Sequence, residues 1–118
     1  MIARIRQRET FQRLTREGAR IRRSPLWCTW CPQPDSSLDP SPAVAYAIGR
    51  AVGPAVTRNR LRRRLRAILA EAHATTPLPP VVMLWGATPA ATELTFDQLR
   101  REVHNILTKI TTTMASSN

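Results

Sequence analysis

The sequence predicts a single α+β domain with the order helix, strands, helix, strand, helix. Three stretches repeat apolar residues every three or four positions, which is the period of an amphipathic helix. Three shorter stretches are continuously apolar, alternate larger and smaller side chains, or are rich in Trp and Thr, as strands are. With 118 residues, the chain is long enough for one core and too short for two.

The N-terminal part of the chain is predicted to be helical and then basic. A short helix spans residues 8–17, where Phe11 and Leu14 lie three positions apart and Gly18 suits the end of the helix. Residues 20–25 contain three arginines and end in proline, so we expect them to form a basic connector.

Two strands are predicted on either side of a proline-rich loop. Residues 26–31 are rich in Trp and Thr, and residues 43–48 place their larger side chains at even positions. Residues 32–42 contain four prolines and are therefore expected to form a loop. On a regular strand, Trp27 and Trp30 would face opposite sides, one of them towards the core.

A long helix is predicted from Pro54, which suits a first helical turn, to about His73. Six of the nine residues 58–66 are arginine. The apolar stripe of this helix would hold them on its outer faces, because the stripe takes up the helix's inner positions. The stripe consists of Leu61, Leu65, Ile68, Leu69 and Ala72.

The last part of the chain is predicted to form a strand and a helix. Residues 81–85 are an unbroken apolar run, typical of a central strand covered on both faces. Thr95 is a plausible N-cap for the final helix. The polar C-terminus is expected to fray, so we expect one domain over residues 1–113 and a disordered tail over 114–118. The apolar stripe of the final helix consists of Phe96, Leu99, Val103, Ile106, Leu107 and Ile110.

The arginines indicate a polyanionic partner. The net charge is +10, and every basic residue except Lys109 is arginine, whose planar guanidinium suits phosphate oxygens. The arginines of the long helix have few acids in reach, Glu71 being the nearest, and would repel one another without a polyanion. Nucleic acid is therefore favoured over an acidic protein or a membrane surface, since a membrane-bound helix would show bulky aromatics along its apolar face.

The sequence offers few residues in patterns typical of a catalytic site or a metal site. Cys28 and Cys31 form a C-x-x-C, but His73 and His104 lack the spacing of a zinc site. On a strand, an offset of three would also place the two sulfurs on opposite faces. Paired-carboxylate, Ser/His/Asp and Gly-rich phosphate-loop motifs are missing from the sequence. We therefore expect no catalytic residue, no metal ligand and no cofactor bound by the protein.

The sequence shows no membrane or secretion signal. No run approaches the roughly 18 apolar residues of a membrane span. The basic N-terminus is not followed by the apolar region of a signal peptide. We expect a cytoplasmic protein without a membrane partner.

Residues 53–63, Gly-Pro-Ala-Val-Thr-Arg-Asn-Arg-Leu-Arg-Arg, resemble the signature of the bacterial ribonuclease P protein component. That signature is Gly-x-Ala-Val-x-Arg-Asn-Arg-x-(Lys/Arg)-Arg. Residues 8–12 together with Gly18 resemble the family's first helix, which carries a Phe and ends at a Gly. The remaining predicted elements occur in the family's order.

The resemblance implies an α-β-β-β-α-β-α sandwich with helices packed on a small central sheet and an uncommon left-handed βαβ crossover. It implies a subunit of the RNA-based endoribonuclease that removes the 5′ leader from precursor tRNA. The partners would be the catalytic RNA and precursor tRNA, and DNA would not be a partner. The RNA would carry the active site and coordinate Mg²⁺, so the protein alone would not be catalytic.

The resemblance also implies two sets of site residues. Residues that would contact the catalytic RNA are Arg50, Arg58, Asn59, Arg60, Arg62, Arg63 and Arg66. Residues that would hold the leader, in a cleft between the first helix and the sheet, are Phe11, Trp27 and Trp30. Thr15 stands where the family usually has a second aromatic residue.

Two other functions stay open on the sequence alone. The first is a basic ribosomal protein or RNA chaperone of related fold, which would bind RNA without activating ribonuclease P RNA. The second is a redox or zinc protein built on Cys28 and Cys31, which would depend on both thiols.

Overall fold

A five-stranded sheet forms the centre of the computed structural model, which describes residues 2–34 and 41–116. Short 3-10 turns at Arg50–Val52 and Pro89–Glu93 precede the second and third helices. Three helices on one sheet confirm the predicted α+β class. The elements are β1 (Ala3–Arg4), α1 (Arg8–Glu17), β2 (Ala19–Arg23), β3 (Leu26–Pro32), β4 (Ala43–Ala47), α2 (Ala55–Thr75), β5 (Val81–Ala87) and α3 (Phe96–Ser116).

The sheet combines parallel and antiparallel pairs in the order β1-β4-β5-β3-β2. β4 pairs in parallel with both β1 and β5, whereas β3 is antiparallel to both β5 and β2. Adjacent parallel strands need a crossover connection, and α2 provides it between β4 and β5. This crossover places α2 directly beside the carboxyl end of β4.

The larger core lies between the sheet and the helices α2 and α3. Cys28 and Trp30 of β3, with Met83 and Trp85 of β5, face this core from the sheet. The apolar stripes predicted for the two long helices are confirmed, because their residues pack into this core, with Phe96 only partly buried. From the helices the core receives Leu61, Leu65, Ile68, Leu69, Ala72, Leu99, Val103, Ile106, Leu107 and Ile110.

The opposite face of the sheet carries α1 and a much smaller core. Leu14 is the one α1 side chain that is fully buried, and it packs with Cys31, Ala43 and Val82. These three residues are register neighbours on β3, β4 and β5 at one end of the sheet. Ile5, just after β1, closes this small core.

The predicted connector over residues 20–25 is wrong, because Ala19–Arg23 forms strand β2. It pairs antiparallel with β3, and Ile21 is its only buried residue. The three strands that the family resemblance implies between the first two helices are therefore present. The pair Ala3–Arg4 forms a further edge strand that the sequence did not predict.

The final helix begins as predicted and ends later than predicted. The Thr95 hydroxyl accepts a hydrogen bond from the Gln98 amide, and the Gln98 side chain accepts one from the Thr95 amide, which forms a capping box. Helix α3 continues to Ser116, with Met114 packed against the core, so the tail predicted over 114–118 is helical up to that point. Residues 117–118 lie outside the described residues. None of the described helices has the length and apolar character that a membrane crossing requires.

Candidate nucleic-acid interface

The outer side of α2 is a surface of arginines. Leu61 and Leu65 are 4% and 0% exposed, and they fix the inner side of the helix against the core. Helical spacing then directs the residues on the opposite side of the helix outwards. We name the exposed residues Asn59, Arg60, Arg63 and Arg66 the arginine face. Arg50 is also exposed, in the turn that leads from β4 into α2.

The arginines of α2 make no ion pair with any carboxylate among the described residues. Glu71, the acid nearest in sequence, instead pairs with Arg100 of α3 at 3.0 Å. The positive charge of the arginine face is therefore not neutralised by the described part of the chain. Such a surface favours a polyanion, which relieves the repulsion between the guanidinium groups.

Three other arginines of α2 hold the surrounding backbone. Arg58 donates from Nε to the Gly53 carbonyl at 3.2 Å. Arg62 donates to the Ile48 carbonyl at 3.1 Å, across the end of β4. Arg64 reaches the Leu94 carbonyl at 3.5 Å, on the side of α2 that faces α3. These half-buried side chains fix the position of α2 and so the direction in which the arginine face points.

Gly53 shapes the turn before the arginine face. Its φ of 153° lies in the region that side-chain-bearing residues rarely adopt. A Cβ at this position would also lie 3.3 Å from the Thr57 methyl group. The glycine thus lets the chain enter α2 directly, with Pro54 immediately before the first helical residue.

A second surface lies on the opposite side of the sheet. Helix α1 packs over the end of this face that holds Cys31, Ala43 and Val82, and Ala45 and Leu84 lie half-buried at the margin of that small core. Arg13 donates to the Pro32 carbonyl at that end, so Thr15, on the other side of Leu14, faces the uncovered part. We name the uncovered part the α1 groove. Its floor consists of Ala45, Ala47, Leu84, Gly86 and Trp27.

Trp27 lies flat over Gly86 at the far end of the α1 groove. A Cβ on Gly86 would lie 2.0 Å from Cζ2 of the indole, so only glycine permits this approach. The Arg20 guanidinium also stacks on this ring, 4.2 Å from its centroid, and its Nε donates to the Thr29 hydroxyl at 3.1 Å. The sequence prediction did not include Arg20, although the alternation of arginine and apolar residues around Ile21 is a signal of a strand. The pairing of Arg20 with Thr29 puts both side chains on the same face of the sheet.

Phe11 forms the α1 side of the groove, and Trp30 does not take part in it. Phe11 is 37% exposed and lines a cavity together with Ala45. Thr15 donates its hydroxyl to the Phe11 carbonyl, so the position where the family has an aromatic is polar here. Trp30 is 5% exposed and lies in the core under α2 and α3. The structure therefore brings Phe11 and Trp27 to one face and corrects the placement of Trp30.

The two cysteines lie on opposite faces of β3, as the sequence predicted. Cys28 belongs to the core under α2 and α3, and Cys31 to the small core under α1. Both thiols are free and buried, and burial raises the pKa of each. A single metal ion or a disulfide cannot join sulfurs that point to opposite sides of a strand. Among the described residues, no group of three or more His, Cys, Asp or Glu could hold a metal ion.

Comparison with solved structures supports the fold. The ribonuclease P protein of Staphylococcus aureus superposes with a TM-score of 0.77 and 18% identity, covering 91% of this chain and 94% of the other. That of Thermotoga maritima gives a TM-score of 0.76 and 19% identity, covering 90% and 96%. At these identities the likeness concerns the fold alone.

Sequence comparison defines the family. The family model described as Ribonuclease P matches residues 2–111. The ribonuclease P protein component of Micrococcus luteus is 38% identical over 113 residues, which is 90% of this chain and 86% of the relative. That of Acidothermus cellulolyticus is 34% identical over 113 residues, covering 96% and 92%. This chain therefore belongs to the ribonuclease P protein component family, whose members are subunits of an endoribonuclease ribonucleoprotein.

Proposed function

We propose that this subunit anchors itself on the catalytic RNA through the arginine face and holds the 5′ leader of precursor tRNA in the α1 groove. The observation that carries the proposal is the absence of acidic partners for the α2 arginines among the described residues. Arg50, Arg60, Arg63 and Arg66 contact phosphates. Arg58, Asn59 and Arg62 chiefly fix the geometry from which they do so.

The two surfaces bind RNA by different physical means. Arginine–phosphate contacts release counterions and give an affinity that falls steeply with salt. The exposed Phe11 ring and the Arg20 guanidinium that lies on Trp27 offer planar surfaces, on which unpaired bases of any sequence can stack. A subunit whose substrates carry different leaders needs a site that binds leaders of any sequence.

The chemistry in this proposal belongs to the RNA. The magnesium ions of the holoenzyme are coordinated mainly by RNA phosphates, and the protein supplies positive charge that lowers the repulsion between RNA strands. The holoenzyme works where precursor tRNA is made, so we place this subunit in the cytoplasm.

Reconstitution with the cognate catalytic RNA at low magnesium tests the proposal. The wild-type chain should stimulate cleavage of precursor tRNA, and the chain without RNA should cleave nothing. Arg60→Ala should weaken RNA binding by about 1–3 kcal/mol and flatten the salt dependence by about one contact. Arg101→Ala, on the exposed side of α3, is the matched control and should bind like wild type. Equal binding by Arg60→Ala and wild type at moderate salt would remove the role of the arginine face.

A further inference from the structure

The face of the sheet that carries the α1 groove ends in two arginines at strand β2. Ile21 of β2 packs into the larger core, so its neighbours Arg20 and Arg22 lie on the opposite face of the sheet. Both are exposed, and we name the pair the β2 shelf. Strand register leads two rows of residues across this face to the shelf. The outer row is Ala47, Gly86, Trp27 and Arg22, and the inner row is Ala45, Leu84, Thr29 and Arg20.

The two arginines of the β2 shelf are held differently. The Arg20 guanidinium is fixed, because it lies on the Trp27 ring and its Nε donates to the hydroxyl of Thr29, which is buried. In the described part of the chain, no hydrogen bond or ion pair engages the Arg22 side chain. Arg22 pairs with Trp27 across the two strands, and the Cβ atoms of such a pair are about 4.5–5.5 Å apart. An unneutralised cation therefore lies beside the aromatic end of the α1 groove.

The rows run from the side of the molecule that carries the arginine face towards the opposite edge of the sheet. Ala47 ends β4, and Arg50 follows in the turn that leads into α2. A catalytic RNA held on α2 is therefore nearest to the β4 end of the rows. From β4 to β2 the rows cross three strand spacings, which is about 14 Å. A leader that enters at β4 crosses the α1 groove before it reaches the β2 shelf.

We propose that Arg22 binds a backbone phosphate of the leader where the leader leaves the α1 groove. β2 is the last strand of the sheet, so the surface for base stacking ends beside Trp27, and the RNA beyond it meets guanidinium groups. Guanidinium groups bind phosphate oxygens irrespective of base sequence. The leader is favoured over the catalytic RNA, because the shelf lies on the other face of the sheet from α2. The inference rests on the proposed leader site and adds to it the part of the leader farthest from the cleavage site.

Precursor tRNAs whose leaders are shortened one nucleotide at a time test this inference in the assembled holoenzyme. For long leaders, Arg22→Ala should weaken binding about fivefold at about 0.1 M salt and lower the salt slope by about 0.7, as expected for one phosphate contact on a single strand. The defect should disappear below a threshold length, at which the leader no longer reaches the β2 shelf.

Arg23→Ala is the matched control. It removes the same charge from the same strand, but Arg23 lies on the other face of the sheet and pairs with Glu102 at 3.5 Å. This variant should bind every substrate like wild type. If wild type prefers precursor to mature tRNA and Arg22→Ala equals Arg23→Ala at every leader length, the shelf binds no leader and the α1 groove keeps its proposed role. If wild type does not distinguish the two tRNA forms, the proposed leader site fails and the inference fails with it.

Binding to the catalytic RNA without substrate separates the two possible sources of the phosphate. Arg22→Ala should bind that RNA as tightly as Arg23→Ala does. A selective loss in Arg22→Ala would assign the β2 shelf to the catalytic RNA and overturn the inference.

A photoreactive nucleotide moved along the leader maps the path of the leader over the sheet. Positions close to the cleavage site should cross-link near Phe11, which lies by β4, and positions nearer the 5′ end should cross-link to strand β2. The opposite order would overturn the direction from β4 to β2, and with it the placement of the distal leader on the β2 shelf.

Discussion

The guanidinium of Arg62 donates a hydrogen bond of 2.6 Å to the side-chain oxygen of Asn59, one helical turn earlier. The same guanidinium reaches the Ile48 carbonyl at the end of β4. Asn59 and Arg62 thus join the start of α2 to the sheet. The arginine-rich segment therefore contains residues of two kinds, those that build the surface and those that the surface presents to RNA.

Replacing one arginine of each kind by alanine should show which kind stabilises the fold. Arg62→Ala removes hydrogen bonds to Ile48 and Asn59 and should lower the free energy of unfolding by about 1 kcal/mol. Arg63→Ala, an exposed neighbour without those bonds, should change it by less than about 0.5 kcal/mol. Urea unfolding measures both values, and equal losses would show that Arg62 has no such structural role.

Replacing Gly86 should be costly, because Trp27 occupies the space of any added Cβ. Gly86→Ala forces the indole off the sheet, and overpacking of this kind typically costs about 1–3 kcal/mol. Gly49→Ala is the matched control, since no atom lies within 4 Å of a Cβ there. Melting temperatures measure the difference, and an unaltered Gly86→Ala protein would contradict the described position of Trp27.

The two tryptophans of β3 should differ in their effect on substrate choice. Trp27→Ala removes the ring that supports the Arg20 guanidinium in the α1 groove. It should therefore reduce the preference of the holoenzyme for precursor tRNA over mature tRNA, by at most the value of one stacked base, about 1–3 kcal/mol. Trp30→Phe, in the core on the other face, should leave that preference unchanged even where it lowers stability. Competition binding with the two tRNA forms measures both. A change of preference in Trp30→Phe alone would reverse the assignment of the two faces.

Stability should fall with pH in the alkaline range because of Cys28. Burial raises the pKa of this thiol in the folded chain, so the folded state keeps the proton that the unfolded state loses above about pH 8.5. The unfolded state then binds fewer protons, and the free energy of unfolding decreases by up to about 1.4 kcal/mol per pH unit. Urea unfolding between pH 8 and 10.5 should show a shallower decrease in Cys28→Ala. Part of the pH dependence should remain in Cys28→Ala, because the pKa values of Cys31 and Tyr46 are also raised in the folded chain.

The sequence predicted the elements whose apolar pattern is local and missed those defined by distant pairing. The stripe of α2 extends over about three turns, from Leu61 to Ala72, so its inner side could be assigned from spacing alone. Strand β2 offers only Ile21 as a buried residue between charged ones, and its partner β3 defines it as a strand. Strand β1 has two residues and owes its structure to pairing with β4.

The candidate site was predictable in its residue types and less so in its geometry. Spacing placed Trp27 and Trp30 on opposite faces without showing which face carries α1. The division of the arginines into Arg58 and Arg62, which bind backbone, and Arg60 and Arg63, which are exposed, depends on where Gly53 and Ile48 lie in space.

The composition of strand β2 also bears on solubility. A sheet edge exposes unpaired backbone groups that can recruit a strand from another molecule and begin aggregation. Here one edge carries Arg20, Arg22 and Arg23, and the other ends in a strand of only two residues. Two identical arginine-bearing edges repel each other, so edge-to-edge association is disfavoured while the protein is newly made and has no RNA. The arginines of β2 therefore protect the chain against fibril-like self-assembly, in addition to any part that Arg20 has in binding.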